Sequence, residues 1–257
     1  MLVPGGHVMK ILVTAGNTLV PIDRVRGITN IFTGRTGAAI ALCAHERGHT
    51  VTLLTSHPEA VEALREGAAP LAERWSLRRF STFDDLHARM QALLPSGEYD
   101  ALVHCAAVSD YQAAGVYAPA DHTHFNEQDG TWHGTGGVPG LVDRAAGKVK
   151  SDEPELWLRL VRTPKLVDLV RSAWGFRGVL VKFKLEVGVS DENLLEIAER
   201  SRRQSAADLM VANTLEGASF WALLGPLGGR YDRVIRHDLA RRLLEEMERL
   251  HKEKADG

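Results

Sequence analysis

The chain is poor in cysteine and aromatics: 257 residues contain Cys43 and Cys105 alone, and 6% are Phe, Trp or Tyr. Both cysteines lie in runs of apolar or small residues, which suits buried reduced thiols and argues against a disulfide framework. That usage predicts a cytoplasmic location. No apolar run approaches the roughly 18 residues of a membrane span, and 1–8 lacks the charged start and long apolar stretch of a signal peptide, with Met9 as an alternative start. Neither sign of charge dominates, since 31 Lys and Arg stand against 33 Asp and Glu for a net −2. A chain that grips nucleic acid by neutralising phosphates carries a strong basic excess, so neither nucleic acid nor membrane is expected as a partner. GxGxxG and a P-loop ending in GK[ST] are missing too, which disfavours dinucleotide dehydrogenases and P-loop ATPases. His104, His122, His124 and His133 have no CxxC or HExxH to complete a zinc set, so no protein metal site is expected.

What remains is ordinary for a folded protein: 44% apolar, 25% charged, 24 Gly and 10 Pro. Short apolar runs recur at 10–15 (KILVTA), 50–54, 100–106, 179–184 and 208–212, as strands covered on both faces do. Helical spacing occupies 33–47, with Gly48 as its stop, and 83–94, 190–205 and 238–250. Thr163 and Pro164 read as an N-cap and first helical residue of another helix, to about Trp174. The alternation predicts an α/β fold: an open, Rossmann-like, largely parallel sheet with helices on both faces. LWLRLV, FWALL and RYDRVIR predict an antiparallel C-terminal extension. The length falls between one and two domains of about 150 residues. One domain over 1–257 is expected, with 113–147 as an inserted irregular flap.

Chemistry points to the strand ends. The first strand leads through Gly16-Asn17-Thr18 and Pro21-Ile-Asp23 to Asn30, then Thr33-Gly34-Arg35-Thr36-Gly37 before a helix. Glycines beside a helix N-terminus expose N–H groups to phosphate oxygens. The strand at 100–106 ends in Ala106-Ala107-Val-Ser-Asp110, small residues and one carboxylate at the edge where open α/β sheets bind ligands. Lys148 and Lys150 in GKVKS can close over phosphates as point charges.

These segments, ILVTAGNTLVPIDRVRGITNIFTGRTG (11–37), CAAVSDY (105–111), GKVKSDEPELWLRLVRTPKLVDLV (147–170), VKFKLEV (181–187) and ADLMVAN (207–213), resemble the phosphopantothenoylcysteine synthetase family in its bacterial stand-alone form. The resemblance implies a ligase of coenzyme A biosynthesis. The carboxylate of 4′-phosphopantothenate is activated with CTP, or ATP, as an acyl nucleotide with loss of pyrophosphate, and L-cysteine then takes the acyl group. It implies Mg²⁺ or Mn²⁺ with the triphosphate, a homodimer, and a separate decarboxylase chain for the next step. Catalysis falls to Asn30, donating to the acyl oxygen, and to Lys148, neutralising triphosphate charge. Nucleotide binding falls to Gly16, Gly34, Gly37, Ala107, Asp110, Thr163, Pro164, Lys165, Leu166, Val167 and Phe183. Substrate binding adds Arg35 and Lys150 to Asn30.

The chain also departs from that pattern. Asn17 stands where many members have a second glycine, and asparagine tolerates unusual backbone geometry. Lys182 replaces a small residue before Phe183, Thr214 replaces an aspartate, and Ser201, Gln204 and Ser205 lie in a helix expected to bring lysines to the nucleotide. Two other readings stand beside the ligase. One is a non-catalytic nucleotide-binding module; the other is a short-chain oxidoreductase, which needs TGxxxGxG and YxxxK where this chain has TAGNTLVP and YQAAG.

Overall fold

A computed structural model describes residues 8–65, 71 and 73–256; the reading of 1–8 lies outside them except for Val8. In chain order these residues form β1 (Lys10–Ala15), β2 (Leu19–Pro21), β3 (Gly27–Thr29), α1 (Arg35–Glu46), β4 (Thr50–Thr55), α2 (Glu59–Leu64) and β5 (Trp75–Arg79). Next come α3 (Phe83–Leu93), β6 (Ala101–His104), β7 (Tyr111–Pro119), β8 (Thr123–Asn126), β9 (Thr131–Gly134), β10 (Leu141–Asp143) and β11 (Trp157–Arg162). The chain continues with α4 (Leu166–Ser172), β12 (Val179–Glu186), α5 (Asp191–Gln204), β13 (Leu209–Thr214), β14 (Trp221–Leu227), β15 (Arg230–Ile235) and α6 (Leu239–Asp256). Where one domain was expected, the chain divides into two compact units: 1–18, 31–108 and 165–257 form the first, and 19–30 with 109–164 the second.

The first unit is built on an eight-stranded sheet in the order β15-β14-β13-β12-β6-β1-β4-β5. Its six parallel strands follow the 3-2-1-4-5-6 order of doubly wound nucleotide-binding folds, and β14 and β15 extend it antiparallel, as expected for FWALL and RYDRVIR. The strands are apolar on both faces because both are covered. Ile11, Val13 and Ala15 pack with Ile40 of α1, Val61 of α2 and Leu243 of α6. Leu12, Leu102 and Leu180 face the other way, with Leu86 of α3 and Val170 of α4, while Leu194 of α5 packs with Met210 of β13. Both cysteines are free and half-buried, and burial pushes both thiols up, Cys105 to about 12, far from a nucleophile's range.

The second unit corrects the reading of 113–147 as irregular. That stretch contributes strands: β7 is the centre of a three-stranded sheet β10-β7-β11, and β8 pairs with β9. LWLRLV is therefore not part of the C-terminal extension. It becomes β11, antiparallel to β7 with Trp157 opposite Tyr117. The signal was alternation shared by all antiparallel strands, which does not name the partner. Phe125, Trp132 and Trp157 pack edge-on and tilted, with ring centroids 4.6–5.2 Å apart.

One polar row crosses the first unit's interior. Thr14, His104 and Lys182 are paired in register on β1, β6 and β12. Thr14 Oγ1 lies 3.0 Å from His104 Nδ1 and accepts the Ala106 N–H at 3.2 Å. Burial, then the Lys182 ammonium, pushes His104 down to about 4, so its imidazole is neutral at pH 7. Between the ordinary value of 6.5 and about 4 the unfolded chain binds a proton that the folded chain refuses, so stability falls with pH across that window. Urea midpoints should therefore decline from pH 7 to 4.5, and more shallowly in His104→Asn, whose amide can still meet Thr14. Identical slopes would remove His104 as the cause.

Candidate functional site at the strand ends

In the first unit the strand order reverses between β1 and β6, the point at which open α/β sheets place ligands. The sequence there leaves no room for side chains. Gly16 follows β1 at φ +87°, and Gly34, the N-cap of α1, sits at φ +75°. A Cβ on Gly34 would lie 2.5 Å from the Gly16 nitrogen, so two backbones touch directly. Gly37 serves packing instead: a Cβ there would lie 2.6 Å from that of Ala15. Past the ends of β1 and β6, Asn17 and Ala107 pair as a parallel bridge, with the Ala107 N–H on the Gly16 carbonyl at 2.8 Å.

The start of α1 has neither a side-chain cap nor an acidic residue in its first turn, so its positive dipole end is open to an anion, while the Gly37 N–H is already engaged with Cys105. Arg35, its first residue, is exposed. Arg236, from the segment after β15, donates to the Thr36 hydroxyl and adds a second cation to this turn. No motif announced it, because it lies 200 residues along the chain.

Asn17 does not occupy a left-handed conformation; its place is explained by hydrogen bonds. Its N–H donates to Ser56 Oγ at 2.9 Å, and its side-chain oxygen lies 3.3 Å from His57 Nε2. His57 Nδ1 lies 2.6 Å from Glu59, and that contact lowers the Glu59 pKa.

The residues expected around the base divide by burial. Lys165 is exposed and Phe183 half-buried, but Leu166 and Val167 are 1% and 6% exposed in the core, so they can present only backbone to a ligand. The helix also starts later than expected, with Lys165 as N-cap. Within the second unit, Thr163 donates its N–H to the Asp110 carbonyl at 2.9 Å and its hydroxyl to the Ser109 carbonyl at 2.7 Å, and Pro164 is exposed. These two bonds take up the polar groups that would have capped a helix.

Also within the second unit, Asn30 follows β3 and is half-buried, and Asp110 is exposed. Lys148 and Lys150 are exposed on either side of buried Val149. The clasp that holds them was not foreseen. Asp23 accepts the Val25 and Arg26 N–H groups at 2.8 and 2.7 Å, the Arg26 guanidinium at 2.8 Å and the Val149 N–H at 3.0 Å. Arg26 donates in turn to the Val149 carbonyl at 2.6 Å, and the Arg24 N–H to the Gly147 carbonyl at 3.1 Å. The Arg26 guanidinium, then the Val25 and Val149 N–H groups, hold the Asp23 carboxyl far below the usual range. Arg26, Lys148 and Lys150 line a 510 Å³ cleft together with Asp152, three cations to one carboxylate, a basic recess suited to phosphate or carboxylate. Turn residues on the PID segment were the only clue in the sequence.

Two substitutions test this geometry. Gly34→Ala should lower unfolding free energy by about 1–2 kcal/mol from the left-handed backbone alone, read from urea midpoints. Asp23→Asn should speed hydrogen exchange at the Val149 amide by about tenfold or more, since a charged acceptor becomes a neutral one. An unchanged Val149 rate would dismiss the clasp.

Similarity to known proteins agrees with this architecture. Residues 7–120 match the family described as DNA/pantothenate metabolism flavoprotein C-terminal domain. The chain is 32% identical over 250 residues to the coenzyme A biosynthesis bifunctional protein CoaBC of Thermococcus kodakarensis, covering 94% of this chain and 51% of that protein. It is 27% identical over 205 residues to the protein of that name from Escherichia coli K12, covering 80% and 41%. The chain thus spans about half the length of the curated relatives it matches. A solved DNA/pantothenate metabolism flavoprotein from Streptococcus pneumoniae superposes with a TM-score of 0.73 at 27% identity, covering 95% of this chain and 100% of that one. A Cab2 mutant in complex with phosphopantothenate-cysteine shares the fold, with a TM-score of 0.68 at 18% identity over 95% and 87%. Residues 7–120 thus match the DNA/pantothenate metabolism flavoprotein C-terminal domain, and along 94% of its length the chain is similar to a coenzyme A biosynthesis bifunctional protein, in keeping with the phosphopantothenoylcysteine synthetase group that its motifs resemble.

Proposed function

We propose that the protein is a phosphopantothenate–cysteine ligase. It activates the carboxylate of 4′-phosphopantothenate with a nucleoside triphosphate, CTP in preference to ATP, and couples it to L-cysteine. The carboxylate attacks the α-phosphorus and pyrophosphate leaves. The cysteine amine then attacks the acyl carbon, the nucleoside monophosphate departs, and the amine proton passes to solvent or base. The observation that carries the reading is the uncapped, acid-free start of α1 beside Gly16 and Gly34 at the strand-order reversal, which suits a nucleotide phosphate. The substrates are inferred from similarity to the bifunctional coenzyme A proteins along 94% of this chain.

Both half-reactions develop charge on oxygen, so positioned donors dominate the chemistry. In this reading the Asn30 amide donates to the acyl oxygen, and Lys148 and Lys150 bring cationic charge to the phosphates. Arg35 adds charge at the start of α1, while Gly16, Ala107, Asp110 and the Pro164–Lys165 turn receive the nucleotide with Phe183. Magnesium or manganese would act as counterion to the triphosphate. Among the described residues no three His, Cys, Asp or Glu side chains are grouped to hold one, so no step is routed through a protein-bound metal.

Purified protein given phosphopantothenate, cysteine, Mg²⁺ and CTP should release pyrophosphate, more slowly with ATP. No release with either nucleotide would defeat the reading. Asn30→Ala should lower turnover roughly 10²-fold or more, as loss of an oxyanion donor does. A rate near wild type would take Asn30 out of its role.

A further inference from the structure

Arg236 stands apart from the other arginines. Those that are half-buried, Arg47, Arg65, Arg144, Arg171, Arg202 and Arg242, each lie 2.5–3.8 Å from a carboxylate oxygen, and the rest are exposed. Arg236 is half-buried too, yet it has no carboxylate partner among the described residues. Its side chain makes one hydrogen bond, from Nη2 to the Thr36 hydroxyl, a neutral acceptor. Nε and Nη1 have no partner among the described residues, and neither is sealed from solvent. Burial pushes the guanidinium pKa down, and the Cys105 thiol that draws it back is itself neutral at pH 7. Withdrawing a cation from water costs free energy, and here no counter-charge in the described chain offsets it.

The first unit delivers this cation to one place. The Arg236 N–H donates to the Phe220 carbonyl at 2.8 Å, directly before β14. Because β14 runs antiparallel to β13, its start lies at the carboxyl edge of the parallel strands. From there the side chain reaches Thr36 in the first turn of α1 and the field of Cys105, the residue that follows β6. The guanidinium therefore lies between the helix that follows β1 and the end of β6, the two strands at the order reversal. A helix N-terminus carries partial positive charge and repels a cation, so a tether for α1 alone would be better served by an acid or a neutral cap. That first turn holds no acid, and Arg35 adds a further positive charge to it. A guanidinium presents five N–H donors in a planar fork that matches phosphate oxygens, and most of this fork is unused.

We propose that Arg236 is a phosphate-binding residue of the nucleotide site: its free donors take oxygens of the triphosphate at the start of α1, and the ligand supplies the counter-charge that the chain omits. This deepens the nucleotide-dependent ligase reading and rests on it. The nucleotide is assigned in preference to the phosphate of the acyl substrate because Arg236 shares the start of α1 with Gly34, which touches Gly16.

The test uses Arg236→Gln, which removes the charge, and Arg236→Lys, which keeps it without the fork. Calorimetry gives the Kd for CTP and ATP without the other substrates, at low and high salt. Pyrophosphate release gives KM for nucleotide and for phosphopantothenate, and thermal melting follows the ligand-free protein. Arg236→Gln should weaken binding of the preferred nucleotide about tenfold or more and flatten its salt dependence, as loss of a charged donor to phosphate does. The KM for phosphopantothenate should stay within about threefold. Without ligand this variant should melt no lower than the wild type, because an uncompensated cation has been removed. Arg236→Lys should recover part of the affinity. A folded Arg236→Gln with wild-type nucleotide Kd overturns the proposal, as does a loss confined to phosphopantothenate. A loss of nucleotide affinity whose salt dependence matches the wild type marks a structural tether and also overturns it. Failure of Arg236→Gln to fold does the same, since the guanidinium would then stabilise the ligand-free chain. If the wild type binds nucleotide but releases no pyrophosphate, the ligase reading fails alone, and the Kd comparison still decides Arg236. A wild type that binds neither CTP nor ATP overturns both.

Discussion

Two backbones meet at the end of β1 where no Cβ fits, and the first unit is arranged around that contact. With Gly34 against the Gly16 nitrogen, α1 begins immediately beside the strand it covers, and its uncapped first turn opens at the strand-order reversal. Gly37 then lets the helix lie on Ala15. Had either helix-side glycine carried a side chain, α1 would stand off the sheet.

Around this contact, most buried polar side chains have assigned partners; among the described residues His45 Nε2, on α1, is buried without one. Thr14 and His104 satisfy each other across β1 and β6. His49 and Arg47 share Glu248 near the end of α1, and Tyr231 donates to Glu199, itself held by Arg202. Cation and carboxylate pairs of this kind stabilise modestly at the surface, but specify geometry when half-buried. The basic cleft of the second unit follows the same logic at smaller scale, since one carboxylate organises the backbone on which two exposed lysines stand.

The parallel strands were legible because each is a short, doubly covered apolar run: 10–15 agrees residue for residue, and β4, β6, β12 and β13 differ from the expected runs by one or two residues at an end. β5 and α2 were missed. WSLRR carries two arginines at a sheet edge, and α2 is a helix of only 6 residues with no cap from its N-cap Pro58. The helix after Thr163 was placed too early because the hydroxyl that suits a cap instead bonds Ser109. Among site residues, the glycines and lysines were visible from local spacing. Arg236 and Asp23 were not, because their partners lie 200 and 126 residues away and pairing at that range leaves no periodic trace.

The discontinuous makeup of the second unit bears on how the chain is born. Asp23 leaves the ribosome 126 residues ahead of Val149, the backbone group it clasps, and the β2–β3 hairpin is one of the shortest sheets in the molecule. A two-stranded hairpin is marginal alone in water, and closing so long a loop carries an entropy cost that grows with the logarithm of its length. During synthesis this hairpin must wait, unpartnered, while the strands and helices of 31–108 emerge. The first unit's early strands can pair in that interval, so the clasp that organises Lys148 and Lys150 closes only after that part of the sheet has had the chance to form.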